Sequence, residues 1–332
     1  MNHMPKPALE IRNLQTEFRI GGSWYPAVRN LSLSLQQNET LAVVGESGSG
    51  KSVTALSILR LLPSAGARIG SGEVLFEGRN LATLSEREMS DIRGNSIAMI
   101  FQEPMTSLNP TMTVGQQIAE AIIIHRGGRQ SEAMAEALRL LKEVKIGSPE
   151  SRLHDYPHQF SGGMRQRVMI AMALACRPKI LLADEPTTAL DVTIQAQVLL
   201  QLDELKQAYG MSVLFITHNL GVVAQIADRV AVMYAGEIVE LASVEALFAN
   251  PMHPYTAALL RAMPRADRAS DSLEPIPGGV PAVTAIPSGC AYAPRCSFRQ
   301  RSCDELRPDL LASGDPGHLV RCSQRLAGGM RG

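Results

Sequence analysis

The chain lacks net charge, long apolar runs and internal repeats. Its 332 residues carry 32 Lys+Arg against 32 Asp+Glu, so no long-range field draws it to nucleic acid or anionic lipid, although a local basic patch is compatible with a neutral total. Its longest uncharged apolar stretches, such as 168–176 and 180–183, fall well short of the roughly 18 residues a membrane span requires. The chain is therefore not expected to cross a bilayer by itself. Its first ten residues carry a lysine and proline but no apolar core followed by a small-residue cleavage site, so a secretory leader is not expected and a cytoplasmic chain is. The absence of a repeat argues against a solenoid, and the absence of sustained heptads against a long coiled coil. What is present, 45% hydrophobic and 19% charged residues, suffices for a sizeable core.

Length permits one large domain or two smaller ones. Before Pro264 strand and helix patterns alternate, whereas Pro264 to Gly332 is rich in arginine and proline and holds four of the five cysteines. Thr40-Leu-Ala-Val-Val44 reads as a buried strand, and Ser52 to Leu62 places Val53, Leu56, Ile58, Leu59 and Leu62 on one helix face. Further strands are expected at 72–76, 96–101, 180–183, 212–217 and 229–234, an alternation that predicts an α/β domain. Within 113–177, helices are expected at 116–125, 131–144 and 164–176 with no strong strand between them, a helical insertion.

Between the first strand and its helix lies Gly45-Glu46-Ser47-Gly48-Ser49-Gly50-Lys51-Ser52, which fits the pattern G-x-x-x-x-G-K-[ST]. Glycines let backbone N–H groups turn toward phosphates, and a helix N-terminus adds positive dipole where negative charge collects. Lys51 is expected to reach the terminal phosphates and Ser52 to put its hydroxyl on magnesium. Further along, Ile180-Leu-Leu-Ala-Asp184-Glu185-Pro186 is an apolar strand ending in two carboxylates, where a parallel sheet presents its chemistry. Asp184 is expected to help hold magnesium, and Glu185 to position or deprotonate the water that attacks the γ-phosphate.

Phe160-Ser161-Gly162-Gly163-Met164-Arg165-Gln166, just upstream of that strand, resembles the signature motif of ABC-transporter ATPases. Gln102 in Ile-Phe-Gln-Glu-Pro is similar to that family's Q-loop, Ala189-Leu190-Asp191 to its D-loop and His218 to its switch histidine, so the resemblance covers most of 8–250. Phe160 and Met164 depart from the commonest signature, while Ser161, Gly162 and Gly163 are kept; Asn219 stands where an aspartate often follows the histidine. Phe18 resembles the aromatic that stacks on adenine, with Tyr25 as the weaker candidate. The motifs at 101–110, 156–163, 183–191 and His253-Pro-Tyr-Thr256 resemble those of the peptide-importer group, the dipeptide and oligopeptide permease ATPases.

The resemblance implies a P-loop ABC ATPase core at 1–250, with a helical subdomain at about 113–177, and a C-terminal extension at 251–332. It implies ATP and Mg2+ as cofactors, with Glu185, His218 and Gln102 catalytic, Gln102 also a magnesium ligand, and Ser161, Gly162, Gly163 and Asp191 at the nucleotide. Because the signature of one subunit completes the phosphate site of another, it further implies a second ABC ATPase, itself a copy or a paralogue. Two membrane permease subunits, contacted through 102–113 and the helical insertion, and an extracytoplasmic binding protein complete the expected assembly, which sits on the cytoplasmic face of the membrane. Nucleic acid is not an expected partner. Peptide is the leading cargo, with nickel and glutathione the alternatives within the group. A soluble ABC ATPase acting on nucleic acid or ribosomes is disfavoured, since such proteins usually carry two ATPase units or a long coiled coil. A metal-dependent binding module would leave the ATPase motifs unexplained.

Cys290, Cys296, Cys303 and Cys322 cluster in the tail, while Cys176 stands apart on an apolar helix and is expected to be core. In a reducing compartment, ligation is the better reading than disulfides, and both zinc and a [4Fe-4S] cluster accept four cysteines. The paired C-x2-C of zinc ribbons is missing, and the resemblance implies [4Fe-4S]. Such a metal would stand in for the core that so short a segment is not expected to build.

Overall fold

A computed structural model describes residues 6–103, 107–188, 190–263 and 275–324. The expected boundary at Pro264, and Ala189 of the expected D-loop, lie outside the described residues. Twelve strands form among the described residues: β1 (Leu9–Ile20), β2 (Ser23–Leu35), β3 (Thr40–Val44), β4 (Ala67–Phe76), β5 (Arg79–Asn80), β6 (Ile97–Ile100), β7 (Ile180–Asp184), β8 (Ser212–Thr217), β9 (Arg229–Tyr234), β10 (Glu237–Ser243), β11 (Leu311–Ala312) and β12 (Leu319–Val320). The chain divides into two compact units, one built from 1–8, 35–39 and 83–215, the other from 9–34, 40–82 and 216–332.

In the first unit β6 and β7 pair in parallel, Ile97 opposite Ile180 and Ile100 opposite Ala183, with β8 beside β7. All five residues of β7 and all six of β8 are buried, which is why both read as continuous apolar runs. Helices Val114–Arg126, Gln130–Glu143, Pro149–Arg152 and Gly162–Leu174 follow with no strand between them. Ile118, Ala119, Ala137, Leu140, Leu141, Val168, Ile170 and Leu174 are buried. The helix at Val114 starts earlier than its apolar pattern suggests because Thr113 caps it: its hydroxyl accepts from the Gln116 N–H, and the Gln116 side chain accepts from the Thr113 N–H. Cys176 is buried in this unit and its thiol donates to the Ala121 carbonyl, as a core cysteine should.

In the second unit β2, β1, β4 and β5 form one sheet. Gly21 and Gly22, both at positive φ, make the two-residue turn between β1 and β2. A second sheet runs β3, β9, β10, β12, β11, with β3 parallel to β9 and the remainder antiparallel. The helix Lys51–Ile58 follows β3 through the glycine loop. Its buried face is only partly the expected apolar one: Ile58 and Leu59 are buried, but together with Thr54, Ala55 and Ser57, while Val53, Leu56 and Leu62 are half-buried. Ser57 is accommodated by a 2.8 Å hydrogen bond with Thr16 of β1.

The tail does find a core. Ala291 and Tyr292 are buried in the cluster built by β9, β10 and the helix Pro254–Arg261, and Ile276, Val280, Ile286, Cys290 and Cys296 pack against it. Polar groups fix the rest. Glu240, fully buried on β10, accepts from Met252 N–H (2.7 Å) and His253 N–H (2.9 Å) and bonds His318 Nε2 (2.7 Å). Arg321 donates to the Ile238 carbonyl at 2.9 Å, and Arg307 pairs with buried Glu237. A proline-rich segment short of its own hydrophobic residues is thus ordered by borrowing the sheet's.

Candidate functional site

The glycine loop belongs to the second unit. Gly45 abuts β9: a Cβ there would stand 2.2 Å from the Met233 carbonyl oxygen, so only glycine fits. Gly48 and Gly50 take positive φ (80° and 104°), and a Cβ at Gly48 would point into open space. Lys51 begins the helix; its ammonium curls back to donate to the carbonyls of Gly45 (2.8 Å) and Glu46 (3.0 Å). Ser49 is fully buried, and its hydroxyl oxygen has no hydrogen-bond partner among the described residues. Ser52, at the second helical position, is half-buried. A helix N-terminus, a lysine over glycine carbonyls and an open glycine cradle together suit an oxyanion such as phosphate.

The loop is also gripped from outside. The Glu46 N–H donates to the Tyr255 hydroxyl at 2.9 Å, and the Glu46 carboxylate takes both terminal nitrogens of Arg295, at 2.7 and 3.0 Å. Burial pushes the Tyr255 phenol well up, which keeps it neutral and able to accept. Phe18 on β1 is half-buried opposite Ala67, and Tyr25 on β2 is half-buried too. The face of neighbouring Trp24 is covered by Arg68, 4.2 Å from the ring centroid. His218, directly after β8, is exposed; Asn219 beside it caps the helix Leu220–Ile226, its side chain accepting from Gly221 N–H at 2.9 Å. Capping is a role aspartate would fill equally, so the departure at this position leaves the local backbone intact.

In the first unit, Asp184 ends β7 and is buried, and Glu185 follows with φ at 47°. That left-handed conformation strains a residue with a Cβ and turns its carboxylate away from the strand line. Two groups hold the carboxylate: the Gln102 amide nitrogen, 83 residues distant, at 3.1 Å, and the Thr188 hydroxyl at 2.9 Å. With its nitrogen given to Glu185, Gln102 has a carbonyl oxygen to offer a cation. Ser161 caps the helix Gly162–Leu174, its hydroxyl accepting from Met164 N–H at 3.3 Å. Asp191 caps the helix Val192–Tyr209 in the same way through Ile194 N–H at 2.9 Å. The two helix starts are neighbours, since a Cβ on Gly163 would stand 2.7 Å from an Ile194 methyl. Ser161, Gly162, Asp191 and Val192 are all exposed.

Curated relatives match along nearly the whole length. The chain is 55% identical to the "Probable peptide ABC transporter ATP-binding protein y4tR" of Sinorhizobium fredii over 95% of this chain and 94% of that one. It is 50% identical to the dipeptide transport ATP-binding protein DppD of Bacillus subtilis, over 95% of this chain and 93% of the relative. The chain belongs to the ABC transporter family. The ABC transporter family description matches residues 28–188, and the oligopeptide/dipeptide transporter C-terminal region matches 239–303, so this member carries both the ATPase core and the peptide-transporter tail region. Among solved structures, a dimeric structure of MJ0796, a bacterial ABC transporter cassette, superposes with a TM-score of 0.64 at 29% identity, covering 71% of this chain and 98% of that one.

The tail cysteines of this ABC transporter protein sit partly buried, Cys290 and Cys296 against the apolar cluster. Burial pushes the Cys290 and Cys296 thiols up, and pushes Cys322 to about 11, with the neighbouring thiols adding to the effect. Among the described residues no group of three or more His, Cys, Asp and Glu side chains is arranged to hold a metal ion. Ser52, Gln102 and Asp184 are hard oxygen donors of the kind magnesium takes. Three site residues were missed in the sequence: Thr188, Tyr255 and Arg295. Tyr255 lies within the His-Pro-Tyr-Thr motif and Arg295 directly precedes Cys296, so both lay beside a signal that was read for another purpose.

Proposed function

We propose that this chain is the ATP-binding and ATP-hydrolysing subunit that powers peptide import through a membrane transporter. The observation that carries the reading is the union of a phosphate loop fit for an oxyanion with 50% identity along 95% of the chain to a dipeptide transport ATP-binding protein. Match of the tail to the oligopeptide/dipeptide transporter C-terminal region supports peptide over nickel or glutathione as cargo.

In this reading the loop N–H groups and the first turn of the helix at Lys51 hold the phosphates, with Lys51 leaving its two carbonyls for the terminal phosphate oxygens. Ser52, Gln102 and Asp184 offer oxygens to magnesium, which when bound neutralises phosphate charge. Glu185 orients the attacking water and takes its proton, held in place by Gln102 and Thr188. His218 assists at the γ-phosphate, and Phe18 stacks on adenine. Ser161, Gly162, Gly163 and Asp191 act on the nucleotide of a second ATPase subunit; the exposure of Ser161, Gly162 and Asp191 at the two helix starts supports this. Two permease subunits and an external binding protein complete the assembly. Among the described residues no helix is long and apolar enough to cross a membrane, which supports a peripheral place at the cytoplasmic face. A four-thiol centre in the tail, [4Fe-4S] or zinc, is supported only by the mutual influence of the thiols, and no step is routed through it. Iron, zinc and acid-labile sulfide assays on anaerobically purified protein test it.

The test of the main reading is recovery of the chain from solubilised membranes. Two membrane subunits and a second ATPase should co-purify, with ATP turnover stimulated by a peptide-loaded binding protein. Ribosomes or nucleic acid in their place would overturn transport while leaving the ATP site standing. Glu185→Gln should retain ATP binding and lose about 100-fold or more of turnover, since the geometry stays and the base goes.

A further inference from the structure

We propose that Arg295, in the C-terminal tail, is a positioning residue for the phosphate loop: by neutralising and fixing the carboxylate of Glu46 it sets the affinity of the chain for ATP. The inference rests on the nucleotide reading above. Glu46 is the second residue of the loop, and three of its groups are committed. Its carbonyl accepts from Lys51 (3.0 Å), its N–H donates to Tyr255 (2.9 Å), and its carboxylate receives both prongs of the Arg295 guanidinium (2.7 and 3.0 Å). Two of those three partners come from outside the loop, one from the helix Pro254–Arg261 and one from the turn Ala293–Arg295.

A carboxylate is an adverse neighbour for a polyphosphate. Like charges within a few ångströms in a partly buried site repel strongly, so an uncompensated Glu46 would weaken phosphate binding. Arg295 removes that repulsion and is built to do so. Its side chain is 7% exposed. Its Nε donates to the Pro277 carbonyl at 2.8 Å, and its remaining N–H groups reach the carbonyls of Ile276 (3.3 Å) and Gly278 (3.4 Å) and the Tyr234 hydroxyl (3.4 Å). The guanidinium carbon lies 5.7 Å from the Tyr234 ring centroid and 5.9 Å from that of Tyr292. Tail carbonyls and two aromatic rings therefore aim the guanidinium at Glu46 before any ligand arrives, and a planar two-pronged donor is what the site demands. The tail is thereby wired to the nucleotide loop: whatever displaces 276–295 frees a negative charge inside it.

The test is nucleotide titration on the full-length chain, using a fluorescent ATP analogue and, separately, adenosine. Arg295→Gln is expected to weaken ATP binding about tenfold or more, the scale of a lost charge-assisted pair, and to leave adenosine binding unchanged because adenosine carries no phosphate. Adding Glu46→Gln to Arg295→Gln should restore most of the ATP affinity, since the uncompensated charge is gone; a merely structural arginine would not be rescued this way. Should Arg295→Gln fail to fold, Arg295→Lys, which keeps the charge without the two prongs, is expected to lose about threefold in ATP affinity. Lys51→Ala serves as the control on the nucleotide reading. If it binds ATP as the parent does, that reading fails and the inference with it. If Lys51→Ala loses ATP while Arg295→Gln and Arg295→Lys do not, or if the double variant stays as weak as Arg295→Gln, the role of Arg295 is overturned and the ATP site stands.

Discussion

The phosphate loop and the cysteine tail are both poor in regular structure, yet they are ordered by opposite means. The loop is ordered by absence of side chains: Gly45 leaves 2.2 Å between a would-be Cβ and the Met233 carbonyl, and Gly48 and Gly50 take conformations other residues avoid. The tail is ordered by side chains, among them Tyr292 in the apolar cluster and Arg295, His318 and Arg321 on carboxylates and carbonyls. Backbone shape is unforgiving and local, whereas a polar network couples distant segments, so that loss of one member leaves several others unsatisfied. Where the two meet, at Glu46, a rigid loop is trimmed by an adjustable tail.

The largest effect should come from breaking the loop's side of that contrast. Gly45→Ala drives a methyl into a backbone carbonyl that cannot swing aside, so the loop must move by more than an ångström. ATP affinity is expected to fall at least about 100-fold, equivalent to roughly 3 kcal/mol of overpacking. Thermal stability should change far less, because the displaced segment is short. Calorimetric titration with ATP beside a melting curve distinguishes the two; a large fall in melting temperature with ATP affinity preserved would mean that the loop's shape serves packing and not phosphate.

A smaller effect is expected on the tail's side. Glu240→Ala removes the partner of two backbone N–H groups, of half-buried Met252 and of buried His253, and of buried His318. Each orphaned donor costs about 1–3 kcal/mol, so a destabilisation of roughly 3 kcal/mol is expected. Limited proteolysis should then cut within 311–324 before the ATPase core is attacked. Equal protection of the tail in the variant and the parent would show that the apolar cluster alone holds it.

That contrast also governs what could be read beforehand. β3, β8 and β9 have the limits expected for them because they are apolar runs bounded by polar residues, and such runs signify burial, complete in β3 and β8 and short of it only at Arg229 in β9. β4 begins at Ala67, not at 72, because its first half pairs with β1 through polar and exposed residues that carry no apolar signal. β10 escaped notice for a sharper reason: it buries Glu237 and Glu240 inside a sheet, which hydropathy reads as surface. At the site, the glycine loop and the Asp184-Glu185 strand end were legible from residue type and order alone. The pairing of Gln102 with Glu185 was reachable only through family resemblance, because no local pattern links residues 83 apart. Arg295 was illegible because an arginine among prolines resembles a solvated tail until its partner is seen. That Cys290 and Cys296 pack against the apolar cluster was equally illegible, because cysteine spacing says nothing of what a tail packs on.

The finest probe of the tail's polar ordering is pH. His253 caps the helix Pro254–Arg261, its Nδ1 accepting from Tyr255 N–H at 3.1 Å, and it is 1% exposed. Burial, opposed by Glu240 and helped by Arg321, brings its pKa from 6.5 down to about 4. A lowered folded-state value means that the unfolded chain takes up the proton first. The stability this residue contributes is therefore complete above pH 6.5 and is lost progressively as pH falls toward 4. At pH 5.5 the loss is on the order of 1 kcal/mol relative to pH 7.5, from linkage between those two values. Asparagine can cap the same N–H without titrating, so His253→Asn should flatten the stability profile over that interval. Urea unfolding at pH 7.5, 6.5 and 5.5 on both proteins reads the difference directly. Parallel profiles would show that His253 does not carry the acid sensitivity of this region, and would place Tyr255, and with it the grip on Glu46, outside the reach of physiological acidification.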